Sequence, residues 1–100
     1  MILVDGQQSA SISALDRGFA YGDGVFRTMR AVGGRIPYWS MHYAKLARDC
    51  GRLALACPSE AMLLDDIERL LAVTSDGVIK IVVTRGSGSR GYAPTHNALP

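Results

Sequence analysis

The sequence predicts an α+β fold, a two-layer domain in which a hairpin-rich antiparallel sheet carries a pair of helices. Three observations predict it. Short apolar or alternating runs punctuated by turn dipeptides open the chain, around Asp5-Gly6 and again at Val25 to Val32 before Gly33-Gly34. Two middle stretches repeat apolar residues at spacings of three and four, the period of a half-buried helix. Then Val78-Ile79-Lys80-Ile81-Val82-Val83-Thr84 returns as the strongest strand, and its nearly continuous apolar character predicts a central position in the sheet.

Taken in order, Met1 to Val4 and the Asp5-Gly6 turn predict an edge hairpin, with Gln7 to Ser13 returning less regularly. Leu15 to Arg30 holds Gly18, Gly22 and Gly24, a density that implies positive φ or close backbone approach, so a tight loop is expected to deliver the strand from Val25. Ser40 is the expected N-cap of the first helix. Its buried stripe is Trp39, Tyr43, Leu46, Cys50 and Leu53, while His42, Lys45, Asp49 and Arg52 share another face. Pro58-Ser59 starts a second helix that buries Leu63, Ile67, Leu70 and Leu71 and turns Asp65, Asp66, Glu68 and Arg69 outward. Ser75-Asp76-Gly77 is the turn into the final strand. Residues 1–92 make one domain, and 93–100 read as the start of a linker.

Composition narrows the function classes. With 100 residues there is one domain at most, and an apolar share of 48% supplies its core. Eleven basic residues are scattered among nine acids for a net charge of +2, which argues against a general nucleic-acid binder. No apolar run approaches the length of a membrane span, and the amino terminus lacks the pattern of a signal peptide. Cys50 and Cys57 have neither metal-site spacing nor a disulfide framework, so reduced thiols in a cytoplasmic chain are expected.

Two glycine loops carry the functional signal. The first, Asp16-Arg17-Gly18-Phe19-Ala20-Tyr21-Gly22-Asp23-Gly24-Val25-Phe26, could be shaped for packing alone, with Arg17 as either a buried structural arginine or a site residue. The second, Thr84-Arg85-Gly86-Ser87-Gly88-Ser89-Arg90-Gly91-Tyr92, satisfies G-x-G-x-x-G. It is no dinucleotide fingerprint, because Tyr92-Ala93-Pro94 opens no helix and no acid follows for a ribose. A Walker A loop is excluded by the absence of Gly-Lys-Ser/Thr. Arg85 and Arg90 on a glycine-rich backbone suit a small anion, unless they are solvated arginines on an exposed turn.

The first loop resembles the Asp-Arg-Gly-x-x-Tyr/Phe-Gly-Asp-Gly-x-Phe signature of the fold-type IV pyridoxal phosphate enzymes, which include branched-chain and D-amino acid transaminases and aminodeoxychorismate lyases. The second resembles the Ser/Thr-Arg-Gly-x-Gly-x-Arg-Gly-Tyr segment of the lyases. The resemblance implies pyridoxal 5'-phosphate as cofactor and Arg90 with Tyr92 as the grip on a substrate carboxylate. It also implies that Phe26 and Thr28 line the cofactor cleft. The family pattern His-x-x-Arg-Leu becomes His42-Tyr43-Ala44-Lys45-Leu46, so Lys45 stands where an arginine binds the cofactor phosphate. A lysine meets phosphate as a point charge and lacks the bidentate fork. The residue-level alternative is a surface ion pair between Lys45 and Asp49.

Neither Lys45 nor Lys80 matches the family's Schiff-base lysine, which lies beyond residue 100, together with the glutamate that meets the pyridine nitrogen. The expectation is therefore the N-terminal small domain of a longer homodimeric enzyme, with no catalytic residue of its own and no turnover in isolation. The implied reaction is the lyase one, loss of pyruvate from aminodeoxychorismate to leave 4-aminobenzoate for folate synthesis. A D-amino acid or branched-chain type transaminase is the alternative within the family, and a non-catalytic anion- or partner-binding module the alternative outside it.

Overall fold

The computed structural model describes residues 1–87. Seven elements run β1 (Leu3–Val4), β2 (Gln7–Gln8), α1 (Arg17–Tyr21), β3 (Gly24–Ala31), α2 (Trp39–Arg52), α3 (Glu60–Val73) and β4 (Gly77–Thr84). β1 and β2 form the expected hairpin, with Asp5 at φ 51° and Gly6 at φ 79°, but among the described residues as a two-stranded sheet of their own rather than at an edge of a larger sheet. Positive φ at both turn positions matches the twist of a two-residue hairpin, which is why Asp-Gly suits it. β3 and β4 pair antiparallel along their whole length, from Gly24 opposite Thr84 to Ala31 opposite Gly77.

Alternation along this ribbon sets its two faces. Met29, Ala31 and Val83 are buried, with Val25 and Ile81 partly buried beside them. Leu46 and Cys50 of α2, Leu55 of the connection and Leu63 of α3 complete that core. The helices thus cover one face of the ribbon, giving the two layers. The opposite face carries Phe26, Val78 and Val82, all more than half exposed. The expected central strand is therefore corrected: among the described residues β4 is buried on one face only and pairs with β3 alone.

Three local expectations also change. The first glycine stretch is not all loop, because α1 forms within it under an Asp16 cap. α2 starts at Trp39 rather than after Ser40; Tyr38, at φ 62°, precedes it without a side-chain cap bond. Leu53 is the C-cap of α2 and is 43% exposed, so it leaves the buried stripe that Leu46 and Cys50 anchor. α3 starts as expected, with the Ser59 side chain accepting from the Met62 amide; Leu63 and Ile67 are buried, whereas Leu70 and Leu71 of the expected stripe, and Asp66 of the expected outer face, are half-buried. Gly33-Gly34 turns the chain so that Val32 bridges Arg35, and both turn amides reach the distal turn, Gly33 donating to Asp76 and Gly34 to the Ser75 carbonyl. No helix among the described residues is long and apolar enough to cross a membrane.

Candidate functional site

The first glycine loop is joined to residues 84–87, the start of the second, about 60 residues further along the chain. Asp16 is the hinge between them. Its Oδ2 accepts from the amides of Gly18 (2.9 Å) and Phe19 (3.2 Å), capping α1, while its Oδ1 accepts from the Thr84 hydroxyl at 2.8 Å. Thr84 Oγ1 in turn accepts from the Gly86 amide at 2.9 Å. Backbone bonds close the seam: the Arg17 amide donates to the Gly86 carbonyl (2.8 Å) and the Arg85 amide to the Asp23 carbonyl (3.0 Å).

Glycine is required where the loops touch. A Cβ on Gly18 would stand 2.3 Å from Thr84 Cγ2, and one on Gly24 would stand 2.6 Å from the Val83 carbonyl oxygen. Gly22 ends α1 in the left-handed region at φ 66°. Close approach and positive φ, both implied by the glycine density, are thus divided among the three residues.

Asp23 holds the seam electrostatically. Its carboxylate accepts from Arg17 Nε at 3.0 Å and from Arg85 Nε at 2.9 Å. Burial pushes the Asp23 carboxyl up, but the hydrogen bonds from Arg85 and then Arg17 outweigh it and hold the carboxyl below the usual aspartate value. Arg17 is buried, with its guanidinium 4.9 Å from the centre of the Tyr21 ring, which decides for its structural role. Arg85 also donates to the carbonyls of Ala54 (3.1 Å) and Leu53. It therefore ties the seam to the end of α2 instead of presenting a guanidinium to an anion, which corrects the expectation for this residue. Arg90 and Tyr92 lie outside the described residues.

A second cluster faces α2. Arg27 points to the helix side of β3 and its Nη2 lies 2.7 Å from His42 Nδ1. Arginine only donates, so Nδ1 is the acceptor and the imidazole proton sits on Nε2. Burial, then the positive charge of Arg27, lowers the His42 pKa below the usual histidine value. Arg27 Nε is buried without a hydrogen-bond partner among the described residues. One turn along the same helix face stands Lys45, exposed and without an ion pair among the described residues; Asp49 lies 4.0 Å from Arg52 instead. The Lys45–Asp49 alternative is therefore not formed.

Phe26 and Thr28 stand on the opposite, exposed face of β3 from Arg27. There Lys80 Nζ lies 4.8 Å from the centre of the Phe26 ring, which accounts for the lysine interrupting an apolar strand. The expected cofactor-cleft residues Phe26 and Thr28 thus lie on the face of β3 turned away from α2, the helix that carries Lys45. A cleft of about 450 Å³ between the β1–β2 hairpin, α3 and β4 is lined by Ile2, Met62, Ile67 and Ile79 among others, and of the expected site residues it holds none.

A cofactor phosphate fits the α2 corner chemically: an ammonium with no carboxylate on it and a buried guanidinium nitrogen lacking an acceptor are both suited to a dianion. The fold and its welded loops define this chain as a member of the class IV amino-transferase family, whose pattern matches residues 24–100. That family depends on pyridoxal phosphate. The chain is similar to the 4-amino-4-deoxychorismate lyase of Pseudomonas aeruginosa, at 43% identity and a TM-score of 0.82 over 94% of this chain and 34% of that one. It is 30% identical to the aminodeoxychorismate lyase of Vibrio harveyi over 95% of this chain and 35% of that protein. To a D-alanine aminotransferase of Staphylococcus haemolyticus it is 31% identical over 94% of this chain and 35% of that protein. The chain thus spans about a third of the length of these relatives and corresponds to the N-terminal domain of fold-type IV enzymes.

Proposed function

We propose that the protein carrying this chain is a pyridoxal phosphate-dependent aminodeoxychorismate lyase, and that residues 1–92 are its small N-terminal domain, with 93–100 leading to a second domain. The observation that carries this reading is the junction between the first motif and residues 84–87, the start of the second. The seam of Asp16, Asp23, Thr84 and Arg85 fixes the stem of the segment that continues to Arg90 and Tyr92. The match to the Pseudomonas lyase, stronger in identity than that to the Staphylococcus aminotransferase, favours the lyase reaction.

The cofactor supplies the electron sink that acidifies the α-hydrogen of a bound amino substrate. This chain's part is to bind and orient. Lys45 holds the cofactor phosphate as a point charge. Arg90 takes a substrate carboxylate bidentately, with Tyr92 beside it. Phe26 and Thr28 line the cleft from the outer face of β3. Among the described residues β3 is paired on one edge only, which leaves its other edge open. The proton transfers belong to a lysine beyond residue 100, so the 100-residue chain alone has no turnover. The complete enzyme is a cytoplasmic homodimer acting on a small carboxylate; the free thiols of Cys50 and Cys57 suit a reducing compartment.

The test is the complete protein with pyridoxal phosphate and aminodeoxychorismate. A visible absorption band abolished by borohydride, with release of pyruvate and 4-aminobenzoate in the absence of any 2-oxo acid, is expected. Amino-group transfer from a D- or branched-chain amino acid to a 2-oxo acid, with no pyruvate release, would move the protein to the transaminase branch, which the Staphylococcus relative represents.

A further inference from the structure

We infer that Arg27 is a second ligand for the cofactor phosphate, supplying from β3 the guanidinium that Lys45 does not, with His42 as the residue that positions it. The inference rests on the pyridoxal phosphate reading above and extends it to a residue outside the family's motif pattern.

Three observations converge. Arg27 lies on the helix side of β3, half-buried, in a layer otherwise made of Val25, Met29 and Ala31. Its Nε is buried without a partner among the described residues, a costly arrangement for a charged group unless an acceptor completes it. No carboxylate pairs with it among the described residues; its neighbour is the neutral His42, whose Nδ1 fixes Nη2 at 2.7 Å. Finally, His42 and Lys45 are three apart on α2, so their side chains are neighbours on one helix face. The guanidinium anchored on His42 is therefore held beside the position one helical turn before Lys45, which stands where the expected arginine would be.

This arrangement distributes over two elements what one arginine would do from one. Lys45 contributes a mobile charge and Arg27 a planar donor set with directional hydrogen bonds. His42 can hold Arg27 only as an acceptor, hence only as the neutral imidazole. A phosphate monoester, with two negative charges and three terminal oxygens, has acceptors for both cations.

The experiment is a titration of the complete apoprotein with pyridoxal phosphate and, separately, with pyridoxal, which lacks the phosphate, followed by absorbance and by quenching of protein fluorescence. For Arg27→Gln the pyridoxal phosphate Kd should rise about 10- to 100-fold, the range for losing a charge-assisted hydrogen bond, while pyridoxal affinity stays within about twofold. Adding Lys45→Arg to that variant should recover most of the loss. His42→Ala should raise the same Kd by a smaller factor. Should Arg27→Gln not fold, Arg27→Lys, which keeps the charge and loses the fork, should still weaken pyridoxal phosphate selectively. Equal binding by the wild type and both Arg27 variants would overturn the inference while leaving the enzyme class intact. Equal loss of pyridoxal and pyridoxal phosphate would overturn it by showing a general structural role. A wild-type protein that binds neither would overturn the cofactor reading, and this inference with it.

Discussion

Replacing Asp23 by alanine removes the acceptor that Arg17 and Arg85 share across the seam. The contacts measure 3.0 and 2.9 Å, and the side chains of Arg17, Asp23 and Arg85 are 3%, 19% and 17% exposed. Hydrogen bonds to charged groups contribute about 1.5–3 kcal/mol each, and removing one partner of a buried pair costs about 3–5 kcal/mol. Asp23 and Arg85 keep some contact with water, and Arg85 retains the carbonyls of Leu53 and Ala54. The lower end of the range therefore applies, about 3 kcal/mol. Local opening should become roughly 100-fold more frequent. Hydrogen exchange by mass spectrometry on the complete protein reads this directly, because the amides of Arg17, Asp23 and Arg85 all donate within the seam. Faster exchange is expected in peptides spanning 17–24 and 80–87, with α3 (Glu60–Val73) unchanged. A change of less than about threefold would refute the reasoning, since that is what an exposed ion pair contributes. Acid should mimic the mutation. A carboxyl held below its ordinary value of 3.8 stabilises the fold above that pH, and the contribution is lost as the pH falls below it.

Three further outcomes follow from the geometry. Gly18→Ala, whose Cβ would meet Thr84 Cγ2 at 2.3 Å, should destabilise the protein by about 1–3 kcal/mol in denaturant unfolding, and pairing it with Thr84→Ser should recover part of that. His42, lowered by burial and by Arg27, should titrate below 6.5 by NMR. Its contribution to stability is then complete above pH 6.5 and falls away as the pH drops through the folded-state value; a midpoint at or above 6.5 would refute the Arg27–His42 contact. Cys50, buried and beside Cys57, has its thiol pushed up to about 11, so iodoacetamide at pH 8 should label it far more slowly than Cys50 in the denatured chain.

How much of this was written in the chain itself can be judged from particular elements. Local chemistry settles the features whose causes are local. Asp5-Gly6 makes its hairpin because both positions accept positive φ, and Ser59 caps α3 because its hydroxyl reaches the Met62 amide. The 3.6-residue period puts Leu46, Cys50, Leu63 and Ile67 inside. The α+β class, the two layers and the resemblance carried by the motifs all follow from patterns of this kind. Ser40 failed as a cap because the chain enters α2 through Tyr38 in a left-handed conformation, which no capping rule for serine anticipates. Leu53 kept the helical period but falls at the C-cap, where the chain turns and the stripe leaves the core.

Other assignments depend on which residues meet across the fold, and spacing carries no record of that. Arg85 and Arg90 look alike in the sequence, yet Arg85 is taken by Asp23 and by two carbonyls of the α2–α3 connection, partners about 30 and 60 residues away. Arg27 looks like one more charged residue in an alternating strand. Only the packing of α2 against that face turns it toward His42 and leaves its Nε without an acceptor among the described residues. The sequence by itself determined the two long helices, the strands β3 and β4 and the family, because those depend on hydrophobic period and on short-range order. The tertiary structure decided which cations are taken up by structural partners, because charge partners are chosen by distance in space rather than by order along the chain.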